Sequence, residues 1–109
     1  MTEIVKNELD KIVDTLVKTG IVTKIILFGS HARGEAAPDS DIDLCVLTPV
    51  KDRRPLDITV DLRKKLRGVK TMPLDLFALE QDDFYFHAKR PTSFHHEILN
   101  NGVLLYDHG

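Results

Sequence analysis

Stretches whose apolar residues recur at helical spacing alternate along this chain with short, nearly continuous apolar runs. Residues 2–19 are the first helical stretch. Val5, Leu9, Ile12, Val13, Leu16 and Val17 recur every three or four positions, with Lys6, Glu8, Asp10, Lys11 and Asp14 between them. Thr2 can cap the start and Gly20 can close the end. This helix covers a sheet and carries no chemistry of its own. Residues 21–28 are β-branched and apolar except at Thr23 and Lys24, which predicts a mostly buried strand. A second apolar run, IDLCVL, begins at Ile42, and Thr48, Pro49 and Val50 end it. Pro55 can open a helix whose apolar face is Ile58, Leu62, Leu66 and Val69, with Gly68 near its end. Residues 72–79, MPLDLFAL, form a third strand, with Leu74, Leu76 and Ala78 on one face and Asp75, Phe77 and Leu79 on the other. Gln81, Asp82 and Asp83 open a helical turn through His87, which Pro91 breaks. Thr92 or Ser93 caps a further helix through Asn100, with Phe94, Ile98 and Leu99 on its apolar side. Asn101 and Gly102 turn into a short last strand at 103–106. The order of elements predicts an α/β arrangement: a small mixed sheet with helices packed on it, in a single domain over residues 1–109.

The chemistry lies between the first two strands. Gly29 and Ser30 end the first one. Glycine permits a sharp turn and a close approach by a ligand, because no Cβ intervenes. Residues 31–35 can form a short helix whose free N–H groups face back toward the turn, where an anion would be held, and the Ser30 hydroxyl adds a donor. His31 is expected to be exposed at the start of this helix. Taken alone, a Gly-Ser pair reads as an ordinary strand-to-helix turn. Asp41 and Asp43, flanking Ile42 in front of IDLCVL, change that reading. Alternate residues of a strand share a face, so the two carboxylates project together. Side by side they repel, unless a cation lies between them. Mg²⁺ takes such oxygen ligands and supplements one or two carboxylates with substrate phosphates. Asp75 is the single acidic residue in the third strand, and a carboxylate in an apolar strand calls for a partner.

Charge and composition narrow the classes. The chain has 109 residues, 42% of them hydrophobic and 29% charged, with a net charge of −2. That balance suits a globular domain and implies no nucleic acid as an overall partner. No apolar run is long enough to span a membrane and no signal-peptide pattern appears, so the expected location is cytoplasmic. The one cysteine, Cys45, sits mid-strand as a small buried hydrophobe. Residues 51–70 hold eight of the fifteen Lys and Arg, which reads as a solvated helix face, with attraction of an acidic partner, RNA or nucleotide as the alternative. His95, His96 and Glu97 invite a zinc reading. Adjacent histidines diverge on a helix, so they are taken as surface residues. The spacing from Gly29 to Gly34 matches a P-loop, but Glu35 and Ala36 stand where that motif needs Lys and then Ser or Thr.

Gly29-Ser30, Arg33, Gly34 and Ser40-Asp41-Ile42-Asp43-Leu44 resemble the signature of the nucleotidyltransferase superfamily, a Gly-Ser turn followed by an Asp-x-Asp pair. The chain is most similar to the minimal nucleotidyltransferases, short proteins paired with a HEPN-domain partner in toxin–antitoxin modules, and the likeness runs from the leading helix to the closing ILNNGVLLY. The resemblance implies the polymerase-β-like nucleotidyltransferase fold. It implies that Gly29, Ser30 and Arg33 contact the nucleotide phosphates. It also implies that Asp41, Asp43 and Asp75 hold Mg²⁺, as two ions, and form the catalytic set, Asp75 being the superfamily's third carboxylate. The implied reaction is transfer of AMP from ATP to a hydroxyl, with a tyrosine of a HEPN-domain toxin as acceptor. The alternative is an antitoxin that neutralises its partner by contact alone.

Overall fold

The computed structural model describes residues 2–108. Nine elements follow in order: α1 (Glu3–Val17), β1 (Lys24–Phe28), α2 (Ser30–Arg33), β2 (Ile42–Thr48), α3 (Pro55–Leu66), β3 (Leu74–Glu80), α4 (Gln81–Ala88), α5 (Phe94–Asn101) and β4 (Val103–Asp107). The four strands form one sheet in the order β3-β2-β1-β4, with β2 and β3 parallel and the other pairs antiparallel. The sheet is therefore mixed, as expected. Thr2 caps α1 by accepting from the Val5 N–H, Pro55 opens α3, and Ser93 caps α5 by accepting from His96 N–H.

Strand alternation divides the core in two. Ile25, Leu27, Ile42, Leu44, Val46, Leu76 and Ala78 turn to one face, where α1 and α3 bury them with Leu9, Ile12, Leu16, Ile58, Leu62 and Leu66. Ile26, Cys45 and Leu47 turn to the other face, under Phe84 and Ala88 of α4 and Ile98 of α5. Cys45 is fully buried there, and burial pushes its thiol up to about 12, so it is an inert hydrophobe as expected.

Several boundaries and faces differ from the pattern-based expectation. The first strand begins at Lys24 instead of position 21, because the Thr23 hydroxyl is drawn aside to Leu47 O at 3.2 Å and Gln81 Oε1 at 2.8 Å. The third begins at Leu74 instead of 72. On α5 only Ile98 points inward. Phe94 and Leu99 remain 57% and 39% exposed, because the helix lies across the end of the sheet. His95 and His96 are half-buried, contrary to the surface placement. The His95 ring packs 5.6 Å from Phe84 and stacks 5.0 Å from His87, and His96 Nδ1 lies 2.9 Å from Ala88 O. The basic stretch is partly neutralised: Lys51 pairs with Asp82 at 2.6 Å, Arg53 with Asp61, and Arg54 with Asp57 at 3.1 Å.

Glu8 is the largest departure. Spacing placed it among the polar residues of α1, yet it is 2% exposed. Its Oε2 accepts the N–H groups of Thr71 at 2.6 Å and Met72 at 2.8 Å, and its Oε1 accepts the Thr71 hydroxyl at 2.9 Å, with Lys11 Nζ at 3.2 Å. One side chain thus pins the segment that leads into β3. Burial alone would raise its pKa. The Met72 and Thr71 N–H groups, the Thr71 hydroxyl and Lys11 outweigh that and hold it at about 2, against an ordinary 4.5. A depressed carboxylate stabilises the fold above its unfolded pKa and loses that contribution as the pH falls toward its folded one. The full difference is worth at most roughly 3 kcal/mol. Glu8→Gln should therefore lower stability to urea at pH 7 by about 1–3 kcal/mol. Its deficit relative to wild type should shrink as the pH drops from 4.5 toward 2, and a deficit independent of pH would contradict the ionised anchor.

Candidate active site

The site forms at the end of the sheet where β1 finishes and β2 and β3 begin. Phe28, Asp43 and Asp75 occupy one cross-strand row, since Phe28 pairs with Asp43 and Asp43 with Asp75. Directly paired residues project to the same face. The carboxylates of Asp43 and Asp75 therefore share the face covered by α4 and α5. Asp41 lies just before β2 instead of within it, as the pattern had placed it. Its neighbours are held on both sides. Ile42 N–H donates to Pro73 O at 3.0 Å, and His31 Nε2 donates to Ser40 O at 3.0 Å. His31 is thus buried, not exposed, and ties α2 to the residue in front of Asp41. The Ser40 hydroxyl also accepts from Ala37 N–H at 2.9 Å, which closes the loop.

Gly29 makes the turn with φ 77°, a region that favours glycine. It also leaves room: a Cβ there would collide with Asp43 Oδ2, so the carboxylate lies directly against the turn. The backbone then enters α2 at Ser30, the first residue of a four-residue helix. Arg33, on the last turn of α2, is exposed and ion-pairs with Glu35 at 3.1 Å, yet its charge also reaches Asp43.

Asp43 is half-buried, and its pKa is raised. Burial is the main cause, and the negative charges of Asp75 and Asp41 add to it, while His31 and Arg33 oppose it. The three carboxylates thus feel one another. Asp75 is 61% exposed on the edge strand, and Arg63 Nη2 donates to its Oδ1 at 3.1 Å. Among the described residues no three His, Cys, Asp or Glu side chains draw together closely enough to enclose an ion. Beside the carboxylates lies an aromatic group that pattern reading did not assemble. Phe94 meets Phe28 edge-on at 5.7 Å and lies 6.3 Å from Phe77. A cavity of about 240 Å³ runs from Gly29, Ala32 and Arg33 to Phe94, Glu97 and Asn101. A larger one, about 480 Å³, lies behind the loop at Gly34, Ala36 and Pro38, against Ile4 and Val5, and no carboxylate lines it.

Known proteins are similar to this chain in sequence or fold. A Methanocaldococcus jannaschii protein, provisionally named a protein adenylyltransferase, is 36% identical over 87 residues, covering 80% of this chain and 81% of its own length. A crystal structure from Sulfolobus solfataricus, provisionally named a nucleotidyltransferase, superposes with a TM-score of 0.61 at 16% identity, over 98% of this chain and 89% of that one. A mutant of the MntA–HpeT toxin–antitoxin gives a TM-score of 0.62 at 21% identity, over 90% and 72% of the two chains. A toxin–antitoxin crystallised with AMP-PNP gives 0.56 at 23%, over 93% and 73%. At these identities the likeness is one of fold, and the fold is the polymerase-β-like nucleotidyltransferase fold that the signature implies. Residues 6–105 match the family described as "Nucleotidyltransferase domain", and with the relative above this shows that the chain belongs to that nucleotidyltransferase family.

Proposed function

We propose that this single domain transfers AMP from ATP to a hydroxyl of a partner protein. The observation that carries the reading is the row formed by Asp43 and Asp75 on one sheet face, with the Gly29 turn closed against Asp43. In this reading Gly29 and Ser30 hold the β- and γ-phosphates, where free backbone N–H groups enter α2. Arg33 leaves Glu35, an exposed and weak pairing, for a phosphate. Asp41, Asp43 and Asp75 supply an all-oxygen donor set, which fits Mg²⁺, and their mutual repulsion gives them cause to bind a cation. When bound, two such ions supply charge to the attacking and leaving oxygens of an in-line displacement at the α-phosphorus. Asp75, 61% exposed, faces the incoming hydroxyl and draws off its proton. The acceptor oxygen bonds to the α-phosphorus as the bond to the β-phosphate oxygen breaks and pyrophosphate leaves.

The acceptor in this reading is a tyrosine of a HEPN-domain toxin, silenced by the added AMP. The name of the Methanocaldococcus relative and the toxin–antitoxin neighbours support it. No helix among the described residues is long and apolar enough to cross a membrane.

Labelled ATP with Mg²⁺ should label a tyrosine of the partner. Asp41→Asn with Asp43→Asn should abolish labelling and leave the complex intact. Full neutralisation of the partner by that double variant would instead make contact alone the mechanism. Gly29→Ala tests the turn. Strain at φ 77° should cost about 1 kcal/mol of stability. The carboxylate of Asp43 must also swing away, so labelling should fall far more than the melting temperature. A third outcome follows from the raised pKa of Asp43. Such a group costs the fold stability as the pH rises above the ordinary aspartate value of 3.8, and the cost is full once the pH exceeds its folded pKa. In EDTA, Asp43→Asn should therefore melt higher than wild type. Added Mg²⁺ should raise the wild-type melting temperature and not the variant's, as differential scanning calorimetry can show.

A further inference from the structure

The two outer edges of the sheet are treated differently. β4 pairs with β1 alone, whereas side chains of α3 close the outer edge of β3. The Thr59 hydroxyl accepts the Ala78 N–H at 2.8 Å. Arg63 grips the Leu76 carbonyl twice, through Nε at 3.0 Å and Nη2 at 2.7 Å. The same Nη2 donates to Asp75 Oδ1 at 3.1 Å. Both caps serve the backbone, but only Arg63 also touches the site.

We infer that Arg63 is a positioning residue for the third carboxylate: gripped by a backbone carbonyl, it holds Asp75 at the mouth of the site by one oxygen and leaves the other free. The inference rests on the transfer reading above. An ordinary exposed ion pair is weak, because two flexible side chains must both be ordered. Here the guanidinium is already ordered by Leu76, so Asp75 alone has to settle. The planar fork adds a second bond to the carbonyl through Nε, which fixes the guanidinium's orientation, whereas an ammonium on a flexible stem has no such rigid pair of donors. The guanidinium also sets a positive charge beside Asp75, from the outer side of the edge strand. Arg63 therefore makes no contact with the phosphate turn. Its effect passes through Asp75 and so falls on the transfer step more than on ATP binding, which the Gly29 turn and the Asp41–Asp43 pair carry in this reading.

The test uses the full chain and two readouts. Crystal structures of nucleotide-free wild type, Arg63→Gln and Thr59→Val should show the Asp75 carboxylate displaced or spread over rotamers in Arg63→Gln alone. Thr59→Val loses the neighbouring cap and controls for the closed edge. Single-turnover AMP transfer should fall about 10- to 100-fold in Arg63→Gln, while KM for ATP stays within about threefold. Arg63→Lys should recover only part of the rate. In an Asp75→Asn background, Arg63→Gln should cost nothing further, because the residue it positions is already disabled. An unmoved Asp75 in Arg63→Gln would overturn the inference, and so would a further tenfold loss in the double variant. Absence of transfer by wild type would overturn the transfer reading, while the crystal structures would still decide whether Arg63 sets Asp75.

Discussion

Everything at the site depends on the register between β2 and β3. Side chains alternate along a strand, so a slip of one residue would carry Asp75 to the opposite face, away from Asp43. The register is over-determined. On the inner face Leu44 pairs with Leu76 and Val46 with Ala78, all buried, and a slip would put charge in their place. At the start, Ile42 N–H finds Pro73 O, while Glu8 fixes Thr71 and Met72 just upstream. On the outside, Thr59 and Arg63 take the edge groups of Ala78 and Leu76. An apolar pattern, a buried carboxylate and two edge caps thus set one number, the offset between neighbouring strands. No hairpin could set it, because parallel strands need a crossover, here α3.

That precision serves an arrangement that is unfavourable in itself. Burial, with the charges of Asp75 and Asp41 adding to it, makes Asp43 harder to ionise than an ordinary aspartate. Gly29 makes the turn at a positive φ that glycine adopts without strain, and a side chain there would displace the Asp43 carboxylate. Burial and like-charge crowding of a carboxylate persist only where the surrounding structure outweighs them. The buried rows of β1 and β2 supply that surplus, with Ile25, Leu27, Leu44 and Val46 fully enclosed.

What could be read from the residue pattern was local. Alternation put Asp75 opposite Leu74 and Leu76, and the structure keeps that division. The Gly-Ser turn and the Asp pair lie within fifteen residues, so their spacing carries the information directly. Glu8 and Arg63 were read as ordinary helix-surface charges because their partners lie 63 and 12 residues away, and periodicity says nothing of such pairings. His31 was misplaced for the same reason: its partner, Ser40 O, is a backbone atom nine residues on, invisible to residue type. The α5 faces failed differently. Helical spacing assumes burial along the whole apolar side, and on α5 only Ile98 is buried, while Phe94 meets Phe28 and Phe77 yet stays exposed. A fully apolar stripe would have signalled burial, whereas Phe94 is an exposed aromatic beside the carboxylates.

The three carboxylates are set by three kinds of contact, and these differ in stiffness. Asp43 sits within a central strand, paired on both sides. Asp41 depends on a loop fastened by His31 and Ser40. Asp75 stands on an edge strand, with solvent on one side and Arg63 behind it. The constraints therefore thin out from the Gly29 turn toward the outer edge. A bound nucleotide would meet the more constrained part and an incoming hydroxyl the open part. On that side this chain offers an exposed carboxylate and the exposed ring of Phe94, and no wall of its own among the described residues. A reaction that must exclude water from a labile phosphate bond needs such a wall. Its natural source is the surface that carries the acceptor, so docking and closure of the site would be one event.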